Sequence, residues 1–168
     1  MKIENIVVGR LEANCYLITK DNKTIVVDPG DEYDKIKNAL HNKNVVAIFI
    51  THYHPDHIGA LDQLLTDFNV PVNPGNISGF TYKTLPTPGH KKDCITFYFK
   101  EEKVMFTGDF IFANDIGRWD LPTGNKEEMI ESLKMISRYP DDIKIYPGHY
   151  EDTTLGVEKK HFKKYLEE

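Results

Sequence analysis

The chain has 168 residues, with 21 Lys plus Arg against 26 Asp plus Glu, a formal net charge of −5, and it is 40% hydrophobic. That length suits one domain, residues 1–168, with its own core, and the composition excludes wholesale disorder. No apolar run approaches the roughly 20 residues that span a bilayer, and the acidic balance argues against a surface that wraps nucleic acid. The first ten residues hold no apolar stretch of signal-peptide length. Two cysteines, Cys15 and Cys94, make no disulfide framework, so a soluble, cytoplasmic protein is expected.

The first third reads as strands. Ile3 to Val8, Cys15 to Thr19 and Thr24 to Val27 are β-branched or aromatic runs, with Asp21-Asn22 as the turn between the last two. Asp28-Pro29-Gly30 ends the third, because Pro lacks a donor and Gly admits positive φ. Tyr33, Ile36, Lys37 and Leu40 fit a helical face. Val45 to Ile50 is six apolar residues in a row, the pattern of a strand buried on both faces. A helix is predicted near Asp56, carrying Ile58, Leu61, Leu64 and Leu65 inward.

Pro71 to Gly79, rich in Pro, Gly and Asn, reads as loop. Strands resume at Ile95 to Lys100 and Lys103 to Thr107, turning at Glu101-Glu102. Lys126 to Ser137 has helical spacing, Ile143 to Tyr146 is a short strand, and Thr154 to Leu166 closes the chain as a helix. Strands then helices, twice, suggest two βα halves packed sheet on sheet with helices outside.

Five of the seven histidines fall in three short segments that follow strands. The first is Thr51-His52-Tyr53-His54-Pro55-Asp56-His57. Extended backbone turns His52 and His54 the same way and Tyr53 the other, toward the core or behind the ligands. Asp56 and His57 then occupy the first turn of the helix. The second segment is Thr87-Pro88-Gly89-His90 and the third Pro147-Gly148-His149, with Thr107-Gly108-Asp109 between them. In each, Gly lets backbone approach where a Cβ would obstruct. Five imidazoles and two carboxylates suit Zn, Fe, Mn, Cu or Ni, with the carboxylates favouring the harder ions. His41 and His161, in polar Lys-bearing surroundings, read as surface residues, and neither cysteine is counted as a ligand.

This set, His52, His54, Asp56, His57, His90, Asp109 and His149 in that order, resembles the metallo-β-lactamase fold superfamily. Leu11-Glu12-Ala13-Asn14-Cys15-Tyr16-Leu17, Val27-Asp28-Pro29-Gly30, Gly117-Arg118-Trp119-Asp120-Leu121 and Tyr146-Pro147-Gly148-His149 are similar to the glyoxalase II (hydroxyacylglutathione hydrolase) branch. The resemblance implies an α/β fold, an αββα four-layer sandwich. It also implies two divalent ions, Zn first, with Fe or Mn also compatible. His52, His54 and His90 would hold one, Asp56, His57 and His149 the other, and Asp109 would bridge. Asp56 and Asp109 would be catalytic as well as ligating. Two divalent ions, two aspartates and five neutral imidazoles leave a net charge of about +2. Such ions bring bound water from a pKa of 15.7 toward roughly 7, so hydroxide between them can attack an activated acyl group. The implied substrate is a small-molecule thioester such as S-lactoylglutathione. A persulfide dioxygenase with one iron, and a lactonase or other ester hydrolase, are the alternatives. Asp109 argues against a β-lactamase, which typically carries Cys or a non-bridging residue there.

Only 19 residues follow His149, where classical glyoxalase II enzymes carry a C-terminal helical domain that holds the glutathione carboxylates. A short relative with broader thioesterase activity is therefore expected, its Lys-rich C-terminal segment read as the solvated face of a helix. On the substrate side, Arg118 could meet a carboxylate bidentately or pair with Asp120 or Asp115. Tyr150 could donate to a substrate oxygen or pack at the rim. Asp28 resembles a residue that orients a ligand histidine. Lys91 stands where many relatives have Thr. Oligomeric state is not readable from these residues.

Overall fold

The computed structural model describes residues 1–166 and divides into two compact units, 1–81 and 82 onward. The first is built on a four-stranded sheet of β1 (Lys2–Val8), β2 (Ala13–Lys20), β3 (Lys23–Val27) and β4 (Asn44–Phe49), in that spatial order. The β2–β3 hairpin pairs Lys20 with Lys23 across Asp21 and Asn22, both at positive φ (48° and 61°). That is the two-residue turn whose twist matches antiparallel strands, and Asn and Asp are among the side chains that tolerate it. β4 joins β3 in parallel through α1 (Tyr33–Ala39). Ile36 and Leu40 from that crossover, with Leu61 and Leu64 from α3 (Leu61–Phe68), bury against Cys15, Leu17, Val26 and Ile48 of the sheet.

The helix predicted near Asp56 is two helices, α2 (Pro55–Ile58) and α3, broken at Gly59-Ala60. The break has a hydrogen-bond cause. The Gly59 N–H donates to Gly30 O and the Ala60 N–H to Pro29 O, both at 2.9 Å, instead of to the preceding helical turn. The backbone of Asp28-Pro29-Gly30 is thereby tied to the histidine-bearing segment.

The second unit holds a five-stranded sheet. Its order is β11 (Thr153–Thr154), β10 (Lys144–Pro147), β7 (Val104–Gly108), β6 (Ile95–Phe99) and β5 (Lys83–Pro86), and a ribbon of β8 (Ile111–Phe112) and β9 (Asp115–Ile116) accompanies it. β5 is an unpredicted strand: it is short, mostly exposed and Pro-ended, and it sits at the sheet edge where Pro is tolerated. Helix α4 (Lys126–Ile136) is N-capped by Asn125, whose side chain accepts the Glu128 N–H at 2.9 Å. It buries Met129, Leu133 and Ile136 with Leu155 and Phe162 of α5 (Leu155–Leu166) against Tyr98, Met105 and Ile145. Lys160, Lys163 and Lys164 stay exposed on α5, the solvated face expected of the Lys-rich segment, whereas Lys159 is half-buried and donates to Tyr139 O and to Asp141 Oδ1, the latter at 2.6 Å.

Gly89 departs from expectation. The space where its Cβ would stand is taken by Met129 of α4, whose Cα is 2.5 Å from that position, and its φ is +145°. Its lack of a side chain serves helix packing.

Candidate metal centre

In the first unit, β4 delivers Thr51 and His52, and α2 begins at Pro55 with His54 as its N-cap. His52 and His57 are buried, while His54 and Asp56 are half-buried. Asp28 organises them from the end of β3. Its Oδ1 accepts the Thr51 N–H at 2.8 Å, and its Oδ2 accepts the Thr51 hydroxyl at 2.6 Å and His57 Nδ1–H at 2.9 Å. Three donors hold Asp28 in the left-handed region, φ 49°, a conformation that costs a non-glycine residue free energy.

These bonds fix two tautomers. His57 gives its Nδ1 proton to Asp28, so Nε2 carries the lone pair. The Thr51 hydroxyl has spent its proton on Asp28, so at 3.1 Å from His52 Nδ1 it accepts, and His52 also keeps its lone pair on Nε2. Each of those lone pairs faces a second potential ligand atom. His52 Nε2 lies 3.1 Å from His54 Nδ1, and His57 Nε2 lies 3.4 Å from Asp56 Oδ2.

In the second unit, β7 and β10 run parallel with Gly108 opposite Pro147, and the Gly148 N–H donates to Gly108 O at 2.8 Å. Asp109 and His149 therefore leave the sheet side by side at its carboxyl edge. Asp109 Oδ2 is 3.5 Å from His149 Nε2 and 3.5 Å from His90 Nε2. His90 Nδ1 donates to the Arg118 carbonyl at 2.8 Å, which leaves its Nε2 as the acceptor.

Two ligand atoms at 2.0–2.1 Å from one tetrahedral ion stand about 3.4 Å apart. The donor pairs within each unit, at 3.1, 3.4, 3.5 and 3.5 Å, have that spacing, and the tautomers of His52, His57 and His90 turn their Nε2 lone pairs into it. Imidazole and carboxylate donors held so fit a divalent transition-metal ion. The thiols do not take part. Burial pushes the Cys94 thiol up to about 12 and raises that of Cys15 further, so neither supplies thiolate.

Of the substrate-side candidates, Arg118 makes a bidentate pair with Asp120, 2.7 Å from Nε and from Nη2. That pair holds the Asp120 carboxyl well down, at about 2. Tyr150 is 68% exposed, edge-on to Phe112 at 5.5 Å. Tyr53 corrects the alternation argument: it is 47% exposed, because the strand ends at Phe49 and period two lapses in the loop. Lys91 pairs with Asp93 at 2.8 Å. The sequence assigned no role to the Thr51 hydroxyl or to the Arg118 carbonyl. Thr51 adjoins the motif and carried a signal; a main-chain acceptor carries none.

The sequence matches the Metallo-beta-lactamase superfamily over residues 8–73 and 73–149. It is 32% identical to the hydroxyacylglutathione hydrolase GloC of Haemophilus influenzae, over 95% of this chain and 96% of that protein. The fold is similar to that of the BLEG-1 B3 metallo-beta-lactamase, with a TM-score of 0.90 at 27% identity over 95% of this chain and 97% of that one. It is also similar to TTHA1623 in a di-iron-bound form, with a TM-score of 0.87 at 27% identity over 94% and 98% of the two chains. Among the described residues, no helix is long and apolar enough to cross a membrane. Ordered histidine tautomers, carboxylates at ligand spacing, the mixed α/β fold and these matches together establish that the chain belongs to the metallo-β-lactamase superfamily of metal-dependent hydrolases.

Proposed function

We propose that this protein hydrolyses thioesters of the hydroxyacyl-thiol class, S-lactoylglutathione being the first substrate to test. It would work with two divalent metal ions, Zn first and Fe or Mn also compatible. His52, His54 and His90 would serve one ion, Asp56, His57 and His149 the other, and Asp109 would serve both. The observation that carries the reading is Asp109 Oδ2 standing 3.5 Å from both His90 Nε2 and His149 Nε2, a carboxylate oxygen within reach of two imidazole ligands at once. The 32% identity to a hydroxyacylglutathione hydrolase over nearly the whole chain supports the substrate class.

When bound, such ions supply an acidified water and a positive charge for the developing oxyanion. The chain's residues do the rest. Asp28, through Thr51 and directly, keeps the Nε2 lone pairs of His52 and His57 free to ligate. The Arg118 carbonyl does the same for His90. A thiolate leaving group, of pKa about 8.5, departs without a strong general acid. Arg118 and Tyr150 are substrate-side candidates, Arg118 only on release from Asp120. The two free buried cysteines suit a reducing cytoplasm.

The test is turnover of S-lactoylglutathione by protein of measured metal content, beside Asp109→Asn. Hydrolysis that requires two ions per chain and falls at least about a hundredfold in the variant supports the reading. No hydrolysis with both ions bound overturns it. Parallel assays with a lactone, a β-lactam and glutathione persulfide under oxygen then identify which alternative holds.

A further inference from the structure

The first unit carries a cavity of about 400 Å³ whose wall includes Gly9, Arg10, Leu11, Asp31 and Asp56, a size within the usual range for small-molecule sites. Asp56 is one of the ligands in the proposed function, on which this inference rests. An occupant of the cavity therefore has one end beside a metal-ligating carboxylate. The turn between β1 and β2 forms the outer wall, and it is held from behind. Lys35 Nζ donates to Val7 O at 2.6 Å, and the Gly9 N–H donates to Glu32 Oε2 at 2.8 Å. Fixed backbone presents two exposed side chains, Arg10 and Leu11, the latter 67% exposed.

Two charges in this cavity, Arg10 and Asp31, are open to a ligand. Among the described residues, no carboxylate pairs with Arg10, whereas Arg118 is taken up by Asp120. Among the described residues, Asp31 accepts only the Glu32 N–H, on Oδ1 at 2.6 Å, which leaves Oδ2 available. Gly9, at φ +71°, keeps that oxygen open: a Cβ there would lie 2.8 Å from Asp31 Oδ2. One guanidinium and one carboxylate on the wall of a single cavity, with an exposed leucine between cavity and solvent, complement a particular chemistry. A guanidinium fork recognises a carboxylate bidentately, and a carboxylate recognises an ammonium. A polyphosphate would meet Asp31 as a like charge.

We infer that this cavity binds the zwitterionic amino-acid end of the substrate's thiol carrier. Arg10 takes the α-carboxylate, Asp31 the α-ammonium, and Leu11 covers the connecting methylenes. The carrier is therefore a peptide-like thiol with a free amino-acid head, and coenzyme A thioesters are poor substrates.

Two measurements test this. Calorimetry with S-methylglutathione reads the cavity without turnover. Arg10→Ala and Asp31→Asn each weaken binding about 10–100-fold, the range of a lost charge-assisted contact. N-acetylation of the ligand, which removes the ammonium, costs wild type about as much as Asp31→Asn does, and the two losses do not add. Kinetics read specificity. The ratio of kcat/KM for S-lactoylglutathione to that for the neutral lactoyl-N-acetylcysteamine falls by the same factor in Arg10→Ala, with the loss in KM. Lys160→Ala, an exposed cation lost from α5, leaves the ratio unchanged. Binding and ratio equal to wild type in both variants overturn the inference even if the thioesterase reading stands. Binding that depends on Arg10 and Asp31 without any turnover keeps the cavity's role and removes the thioesterase reading. Neither binding nor turnover removes both, and a coenzyme A thioester preferred over S-lactoylglutathione also overturns the inference.

Discussion

Asp28→Asn is a nearly isosteric change with an outsized expected effect, because the carboxylate of Asp28 only accepts and the amide also donates. The native carboxylate receives three protons, from the Thr51 amide, the Thr51 hydroxyl and His57 Nδ1. If the asparagine oxygen keeps the Thr51 amide, its NH₂ group faces the other two. Thr51 Oγ must then accept, and its own proton turns toward His52 Nδ1, 3.1 Å away. His57 Nδ1 must accept as well. Both imidazoles move their proton to Nε2, the atom needed for the metal. A displaced outer partner of this kind costs about 10–100-fold in metal affinity. Here one substitution reaches two histidines, His52 and His57, which belong to different proposed ions, so both ions weaken by that factor. Losing two charge-assisted bonds at a buried site also costs about 2–4 kcal/mol of stability. Thr51→Val separates the two routes, since it interrupts only the path to His52 and should weaken one ion. Chelator competition with metal analysis, and ¹⁵N shifts of the imidazoles, report both effects. Asp28→Asn protein that holds two ions within threefold of wild-type affinity, with unchanged imidazole shifts, would refute the tautomer argument.

Gly89→Ala places a methyl 2.5 Å from the Met129 Cα at φ +145°, and α4 must shift. A loss of about 2–4 kcal/mol is expected, read as a Tm lower by roughly 4–16 °C at this size; an unchanged melt contradicts it. Asp120, lowered to about 2 by Arg118, has a folded pKa below its unfolded value of about 3.9. The pair's contribution is therefore complete above pH ~4 and is lost as pH falls toward 2. In Arg118→Ala the carboxyl should titrate near 4 by ¹³C NMR; a midpoint still near 2 would point to another cause. Cys94, pushed up to about 12 by burial, should resist thiol reagents at pH 8 in native protein and react on unfolding. Fast native labelling of Cys94 would show that its burial has been misjudged.

The ligand set is legible in the sequence because its chemistry is narrow and its members crowd together: four of seven lie within six residues, soon after the buried run Val45 to Ile50. The Asp21-Asn22 turn and the buried run at Val45 to Ile50 were legible for similar local reasons. What was not legible depended on three dimensions. The break at Gly59-Ala60 follows from carbonyls at Pro29 and Gly30 that capture two amides, and no periodicity reports a competing acceptor thirty residues upstream. Tyr53 was misplaced because alternation was carried past the end of β4. The Arg118 carbonyl holds His90 through an atom that every residue possesses.

Gly108 and Pro147 share one rung of a parallel ladder, so Asp109 and His149 keep their spacing through sheet pairing, independent of the path between them. That path is long, and it supplies no further ligand of the proposed set. His90 has no such independence: the Asn125 N–H donates to Gly89 O at 2.8 Å and the Ser132 hydroxyl to Pro88 O at 2.7 Å, so the start of α4 holds the segment that carries it. Sequence drift between Asp109 and His149 therefore spares the spacing of that pair and is felt, if anywhere, at His90.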